Sequence, residues 1–296
     1  MPRVLGVDVS LGRGLDVALV EDTVLKELWD RLGPDGLDTL LGEIRPDAVA
    51  IDAPPRAGLD LLGDPAEVAR LAVPPRPGTH LSRRVAEYEL SRRGIGSHHT
   101  PGDPGRLFSW MTAGFEVFEA AGAIGYPAYA GEGSGEGSAL EVFPYASYVG
   151  LSGCLSPGRR HRATWRRAVL EASGVSGLDR AETIDALDAV CAALTGERFL
   201  AGQGCWVGDP REGVIVLPVV RLEDRYRRCP PPGSSHRAEP AAGRLCECGC
   251  GAAVRRRFLP GHDSKLRSRL IRTARAGDAA RRELRTLGWS KLPKEG

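Results

Sequence analysis

The stretch VLGVDVSLGRGLDVALVED, residues 4–22, predicts the first half of a β-sheet. An apolar run broken by one acid, Asp8, is followed by LGRG and a second apolar run, the pattern of two strands around a glycine turn. Downstream, VLKELWDRL predicts a third strand, LDTLLGEI a helix, and DAVAIDAPP a fourth strand that ends at Asp52 before two prolines. The order β-β-β-α-β indicates an α/β fold.

A later segment, AETIDALDAV at residues 181–190, predicts a buried helix that carries two acids. At 100° per residue its apolar stripe consists of Ile184, Leu187, Cys191 and Leu194. Asp188 falls about 40° from Ile184 on this wheel, and Asp185 lies just beyond the stripe. Because a buried carboxylate is costly unless a cation meets it, the pair indicates either a cation-binding site or, alternatively, capping and surface positions.

Further elements are predicted from periodicity and turn residues. They are a basic helix over 81–93, a helix over 107–121, a strand in ALEVFPYASY that Pro144 stops, a basic helix over 159–173, and a hairpin over 206–220. Between them, GEGSGEG at residues 131–137 has the composition of a flexible loop.

Composition excludes a wholly disordered chain and a membrane protein. Of 296 residues, 42% are hydrophobic and 26% are charged, close to the averages for globular domains. No apolar run approaches the roughly 20 residues of a transmembrane helix, and no signal-peptide hydrophobic region precedes the first strand. We therefore expect a cytoplasmic protein without a membrane partner.

The net charge of +2 conceals two halves of opposite sign. Residues 221–296 hold 19 Lys and Arg against 8 Asp and Glu, whereas residues 1–220 hold 21 against 30. With the Pro/Gly/Ser-rich stretch as a boundary, we predict a first domain over 1–226, a flexible linker over 227–243 and a basic module over 244–296. Such a basic block is typical of nucleic-acid binding, with a merely solvated tail as the alternative.

Several acids interrupt apolar elements without a basic partner at helical or cross-strand spacing. They are Asp8, Asp52, Glu141, Asp185 and Asp188. If they converge, they repel one another unless divalent cations neutralise them, and magnesium or manganese suits carboxylate oxygens. Two such ions about 4 Å apart would serve phosphodiester cleavage.

An ordered set of motifs carries a family resemblance: GVDVS, VAIDAPP, the Arg- and Glu-bearing helix ending in LSRRG, EVFPYASYVGL, IDALDAVCAAL and GDPREGVIVLPV. Over most of residues 1–220 the chain resembles the bacterial family called domain of unknown function 429, which is regarded as a predicted nuclease. This resemblance implies a ribonuclease H-like mixed sheet flanked by helices.

The resemblance also implies roles for individual acids. Asp8 would bridge two metal ions and Asp52 would hold one of them, while Asp188, with Asp185 one turn before it, resembles the helix-borne acids of resolvase-like enzymes. Glu141 would be a further ligand or a neighbour of the ligands. Because resolvase-like enzymes often pair, a homodimer is one of the oligomeric states left open.

The basic helix over 81–93 offers candidates for phosphate contacts. Arg83 and Arg84 match a motif of the same family, and a solvated basic helix is the alternative reading. His98 and His99 follow on a predicted loop, where either would serve as a general base or lie on the surface without a role.

The cysteines divide into two groups. Cys154, Cys191 and Cys205 are scattered in the first domain and are expected to be buried thiols. For one structural zinc ion the predicted ligands are Cys246, Cys248, Cys250 and His262, with Cys229 or His236 as replacements and an oxidised cluster as the alternative. The segment also resembles a small zinc-binding tail module of actinobacterial and phage-related proteins, and its expected phosphate contacts are Lys265, Arg267, Arg269, Arg272 and Arg275.

These features together predict a metal-dependent nuclease whose zinc-stabilised tail holds nucleic acid. Two other functions stay open from the sequence: a non-catalytic nucleic-acid-binding protein of the same fold, and an ATP-using enzyme of actin-like fold. The last requires a glycine-rich phosphate loop, and the only candidate, residues 131–137, lacks a following Lys.

Overall fold

The computed structural model describes residues 2–10 and 12–230, and in the remainder of the chain residues 246–248, 263, 266, 270, 271 and 286. The chain divides into two compact units, Met1–Pro232 and Gly233–Gly296. In the described part of the chain, no helix combines the length and apolar character needed to cross a bilayer.

The first unit contains strands and helices in mixed order. The strands are β1 Arg3–Ser10, β2 Gly14–Glu21, β3 Val24–Leu32, β4 Ala48–Asp52, β5 Ser138–Glu141, β6 Cys205–Asp209 and β7 Gly213–Leu217. The α-helices are α1 Pro34–Ile44, α2 Pro65–Val68, α3 Val85–Arg92, α4 Ser109–Ala123, α5 Pro144–Ser152, α6 Arg162–Ala172 and α7 Ile184–Leu200. The predicted α/β class and the opening order β-β-β-α-β are thus observed.

Five strands form one mixed sheet in the order β3-β2-β1-β4-β5. The strands β1, β2 and β3 are joined as an antiparallel meander, whereas β4 and β5 run parallel to β1. The remaining strands, β6 and β7, form the separate hairpin that the sequence predicts. Because β1, β4 and β5 run parallel, their carboxyl ends lie at the same edge of the sheet.

Alternation along the strands divides the core between the two faces of the sheet. On one face, Val4, Ala48, Ala50 and Leu140 pack with α5, α6 and α7. On the other face, Leu5, Val7, Val49 and Ile51 pack with α1 and α4. Asp8 and Asp52 continue the first series, so they point to the side of α7.

Helix α7 lies directly against β1 because Gly6 has no side chain. A Cβ at Gly6 would lie 2.0 Å from the carbonyl oxygen of Ala189 and 2.4 Å from the amide nitrogen of Ala193. Gly196, further along α7, meets Val4 in the same way. Val4 thus lies beside Gly196 and Gly6 beside Ala189 and Ala193, so β1 and α7 run in opposite directions. The next residue of β1 on this face, Asp8, therefore lies near the amino end of α7.

The structure corrects the predicted boundaries of two elements. The basic helix begins at Val85 rather than near residue 81, since Arg84 is extended and its amide donates to the Glu87 carboxylate in a capping box. The strand in ALEVFPYASY ends at Glu141, the last residue to pair with β4. Pro144 then begins α5 instead of only stopping a strand, because its fixed φ suits the first helical position.

A disulfide joins Cys154 to Cys229 across 75 residues of chain. The expectation that Cys154 is a buried thiol is therefore wrong, and Cys229 is unavailable as a zinc ligand. Cys191 is a free buried thiol and Cys205 a free, half-buried one.

Candidate functional site

The hairpin and the parallel strand pair place three aspartates side by side. Asp8 is the cross-strand partner of Asp16 in β2 on one side and of Asp52 in β4 on the other. Directly paired residues point to the same face of a sheet. The middle strand thus carries an acid that is flanked by two others at the carboxyl end of β1.

The amino end of α7 adds two more carboxylates to this edge. Thr183 caps the helix, because its hydroxyl accepts from the amide of Ala186 at 3.0 Å. Asp185 therefore lies in the first turn and Asp188 one turn further, where it is buried as the helical wheel predicts. We call the set Asp8, Asp16, Asp52, Asp185 and Asp188 the carboxylate cluster.

The closest approach within the cluster involves Asp8, Asp16 and Asp185. One carboxylate oxygen from each lies within 4.8 Å of the others. The Ser10 hydroxyl lies 3.3 Å from Asp8 Oδ2 and 3.4 Å from Asp185 Oδ2, so it links a strand acid to a helix acid. The exposed Arg13 donates to Asp185 Oδ2 at 2.8 Å.

Asp188 meets the half-buried Arg166 with only one of its oxygens. Arg166 Nη2 donates to Asp188 Oδ2 at 2.9 Å, and the guanidinium lies over the Tyr148 ring at 5.5 Å from its centroid. Asp188 Oδ1 and Arg166 Nε are buried, and neither has a hydrogen-bond partner in the described part of the chain. A buried carboxylate oxygen without a partner is expensive, which indicates that it is held for a ligand.

Burial and repulsion between carboxylates raise the pKa values of Asp8, Asp16, Asp52 and Asp188. Burial, followed by the charges of Asp188 and Asp185, raises the pKa of Asp8 from 3.8 to about 8. Burial raises the pKa of Asp188 to about 7 against the opposing charge of Arg166, and it raises the pKa of Asp16 as well. The pKa of Asp52 lies well above 3.8, first because burial disfavours the charged carboxylate and then because the charge of Asp8 repels it. Carboxyls this reluctant to ionise either hold protons or share a cation.

A family model described as "Protein of unknown function (DUF429)" matches residues 6–212, which contain the whole carboxylate cluster. The chain belongs to the DUF429 family. No protein with a curated description and no solved structure is significantly similar to it.

Within this DUF429 chain, three of the acids have basic partners from segments distant in the sequence, not at helical or cross-strand spacing. Asp185 pairs with Arg13, Asp188 pairs with Arg166, and Glu141 pairs with Arg84. Among the described residues, no Lys or Arg forms an ion pair with Asp8 or Asp52. A cluster with two free strand acids therefore remains at the edge of the sheet.

Glu141 lines the same cavity as Asp52, but it differs from the cluster acids in strand register and in partner. It pairs with Ile51 rather than Asp52, so strand alternation turns it to the opposite face. Arg84 Nη1 donates to Glu141 Oε2 at 2.8 Å and Nη2 to Oε1 at 2.5 Å. Because both oxygens accept from Arg84, Glu141 is a structural partner of Arg84, and of its two predicted roles the position favours a neighbour of the ligands over a ligand.

The same network corrects the proposed phosphate contact of Arg84. Its side chain is 2% exposed, and it also donates to Glu87 Oε1 and to the Glu212 carbonyl oxygen. Arg84 thus ties α3 to β5 and to the β6–β7 turn, and it is closed to solvent. The neighbouring Arg83 is half-buried and keeps Nε and Nη1 without hydrogen-bond partners in the described chain.

A cavity of about 350 Å³ opens beside Asp52 at this edge. Its wall includes His98, whose ring makes edge contacts with Phe108 and Trp110 at centroid distances of 6.2 and 5.4 Å. His98 is exposed, so it is the histidine of the 97–100 loop that faces the candidate site. His99 instead lies 3.4 Å from Ser82 Oγ through its Nδ1.

Two members of the site were missed from the sequence. Asp16 was detectable from the sequence. In a hairpin centred on Gly12, residues at equal distances before and after Gly12 pair with each other, so Asp8 pairs with Asp16. Arg166 was not detectable, because its proximity to Asp188 depends on how α6 packs on α7.

Of the predicted zinc ligands, Cys246 and Cys248 have their Sγ atoms 3.3 Å apart. The other predicted tail residues lie outside the described residues: Cys250, His262, Lys265, Arg267, Arg269, Arg272 and Arg275.

Proposed function

We propose that this DUF429 protein is a metal-dependent nuclease that hydrolyses phosphodiester bonds of nucleic acid. The observation that carries the proposal is the meeting of Asp8 and Asp16 on adjacent strands with Asp185 on α7, beside Asp52 in β4 and Asp188 one helical turn further along α7. Five carboxylates at one edge, paired among the described residues with two arginines, leave a net negative charge that favours binding of divalent cations.

The sheet supports a ribonuclease H-like assignment. An antiparallel three-stranded meander extended by two parallel strands, in the order β3-β2-β1-β4-β5, is the arrangement expected of that fold. In such a sheet the first strand is central, and its acid lies between the neighbouring strand ends. Asp8 occupies that position.

The donor set fits magnesium or manganese. All candidate ligands are hard carboxylate oxygens, and Asp188 Oδ1 is a buried oxygen that lacks any partner in the described chain. Asp8, Asp16, Asp52, Asp185 and Asp188 would hold the ions, including the three acids predicted from the sequence. When bound, such ions activate water and stabilise the leaving oxygen.

Side chains of the protein would position the carboxylates of this centre and determine which of them carries a proton. The Ser10 hydroxyl lies between Asp8 and Asp185, where its one proton can bond either carboxylate, and so bridges the strand acid and the helix acid. Arg166 holds one oxygen of Asp188, and the other is buried without a hydrogen-bond partner in the described chain. Because its pKa is about 8, Asp8 keeps a proton at neutral pH until a cation replaces it.

A second candidate is a nucleic-acid-binding protein that performs no hydrolysis. It is favoured by the ion pairs of Asp185 with Arg13 and of Asp188 with Arg166, which partly neutralise the cluster without metal. The ATP-using alternative gains no support. The glycine-rich loop 131–137 leads into the amino end of β5, away from the cluster, and no helix begins there.

The tail remains a proposed zinc-stabilised module that holds nucleic acid. Its support is the approach of the Cys246 and Cys248 sulfurs, which are close enough to bind one ion. Metal analysis of the purified chain tests this directly, since one equivalent of zinc is expected and its absence contradicts the module.

The decisive experiment is a cleavage screen. Labelled single-stranded, duplex, hybrid and branched substrates are incubated with magnesium or manganese. We expect divalent-dependent products from the natural protein and a loss of at least about a hundredfold in Asp8→Asn, because a bridging carboxylate is removed. Asp38→Asn, an exposed acid of α1 with the same charge change, is the matched control.

Calorimetric titration separates the two candidates. The nuclease predicts magnesium binding that Asp8→Asn abolishes, whereas the non-catalytic protein predicts no binding. Cleavage that persists unchanged in Asp8→Asn and Asp52→Asn would rule out this centre.

A further inference from the structure

A second cavity, of about 610 Å³, lies beside the carboxylate cluster and is lined by arginines and aromatic rings. Arg159, Arg162 and Arg166 reach it from the start of α6 and the 3₁₀ turn before it, and Arg228 reaches it from the segment after β7. None of the described residues that line this cavity is acidic. We call it the arginine cavity.

Most of its positive charge is free. Arg166 is engaged by Asp188, but within the described chain no acidic side chain forms an ion pair with Arg159, Arg162 or Arg228. Arg228 makes one weak contact, to the Ser156 carbonyl oxygen at 3.3 Å. Arginines held without carboxylates around a concave surface are suited to phosphate oxygens.

Aromatic rings form the adjoining wall. Phe143 and Tyr145 are half-buried, and their ring centroids lie 6.1 Å apart. Tyr145 in turn lies 6.2 Å from Trp165, which is buried and supports it from behind. The exposed parts of Phe143 and Tyr145 offer a stacking surface that needs no rearrangement of the core.

The arginine cavity is connected to the proposed reaction centre. Ser97, His98 and Phe143 line both this cavity and the cavity that contains Asp52. Arg166 spans the boundary, because it lines the arginine cavity and holds Asp188 at 2.9 Å. A chain bound along the arginines would therefore continue toward the carboxylate cluster.

We infer that the arginine cavity binds single-stranded nucleic acid, with a base stacked on Phe143 or Tyr145 and phosphates on Arg159, Arg162 and Arg228. This inference rests on the proposed nuclease function and specifies its substrate. A duplex keeps its bases stacked inside and cannot present one to a recessed ring, whereas a single strand can. Proteins that bind single-stranded nucleic acid commonly combine basic side chains, which contact the phosphates, with aromatic rings, on which the bases stack.

The test is fluorescence anisotropy of the full chain with short labelled oligonucleotides in EDTA, where cleavage is suppressed. We expect a single-stranded hexamer to bind more tightly than its duplex, and parallel DNA and RNA arms identify the preferred sugar. Arg159→Gln with Arg162→Gln should weaken binding at least tenfold. It should also reduce the slope of log affinity against log salt by about 1.4, at about 0.7 per phosphate contact on a single strand.

Two further variants complete the design. Phe143→Leu should weaken binding about fivefold or more through lost stacking. Arg160→Gln is the matched control, since Arg160 is exposed on the same turn but does not line the cavity. The basic tail is identical in all variants, so its contribution cancels in the comparison.

Failure of this inference is distinguishable from failure of the nuclease proposal. If the double arginine variant binds like Arg160→Gln, or if the duplex binds more tightly than the single strand, the arginine cavity is not the substrate site, whatever the cleavage results. If single strands bind as expected but no divalent ion produces cleavage, the substrate site stands and the nuclease proposal falls. Asp8→Asn should retain full binding in EDTA, which separates the two.

Discussion

Replacing Asp8 by asparagine tests the electrostatics of the cluster at nearly constant side-chain shape. In the folded chain the pKa of Asp8 is raised from 3.8 to about 8, so between these values the folded state holds a proton that the unfolded state has released. The free energy of unfolding must then fall as pH rises through this window. Each pH unit is worth 1.36 kcal/mol for one proton.

Three pH units at this rate correspond to about 4 kcal/mol. Between pH 5 and pH 8, Asp8 alone would therefore lower the free energy of unfolding of the natural protein by at most that amount. This is a large part of the roughly 5–15 kcal/mol that stabilises a typical domain. Asp8→Asn cannot lose this proton, so in metal-free buffer it should exceed the natural protein in stability at pH 8 and differ little at pH 5. Removing the charge also relieves Asp52, whose pKa Asp8 helps to raise.

The assay is urea unfolding in EDTA, followed by tryptophan fluorescence at pH 5, 6, 7 and 8. Asp38→Asn should keep the pH dependence of the natural protein, since Asp38 is exposed on α1 and remote from the cluster. Magnesium should stabilise the natural protein most at pH 8 and leave Asp8→Asn almost unchanged. Equal losses of unfolding free energy in the natural protein and Asp8→Asn would refute the reasoning.

Other predictions concern the framework that holds the site. Arg84→Met leaves two buried glutamates without their cation and should lower the free energy of unfolding by about 3–5 kcal/mol in the same urea assay; a change below 1 kcal/mol would contradict it. Gly6→Ala should cost about 3 kcal/mol or more because its Cβ meets helix backbone, whereas Gly122→Ala, with nothing within 4 Å, should gain about 0.5–1 kcal/mol. Reducing the Cys154–Cys229 disulfide, which closes 75 residues, should lower stability by about 4 kcal/mol, measured as a melting shift that Cys154→Ala abolishes.

Much of the fold was predictable because its signals are local. The glycine turn between two alternating apolar runs predicted the β1–β2 hairpin, and the prolines after Asp52 predicted the end of β4. The apolar stripe of α7 predicted that Asp188 is buried and Asp185 less so, as observed. These features depend on periodicity and chain stiffness, which neighbouring residues determine.

Partner choice was less predictable. Glu141 was predicted as a cluster member because it interrupts an apolar strand and matches the EVFP motif of the family. A register offset by one residue turns it to the other face of the sheet, where it pairs with Arg84. Arg84 in turn looked like a surface cation because its neighbours are basic. Its burial depends on loops that return from the β6–β7 turn, and no local pattern encodes their path.

For this protein the sequence alone determined the α/β class, the opening hairpin and the candidacy of Asp8, Asp52 and Asp188, since backbone periodicity specifies which residues face inward. The tertiary structure alone decided that Asp185 comes close to Asp8 and Asp16 and that Arg166 meets Asp188. It also decided that free arginines surround a cavity beside the cluster. The physical reason is that contacts between distant segments depend on strand register and helix packing, which the whole core sets together.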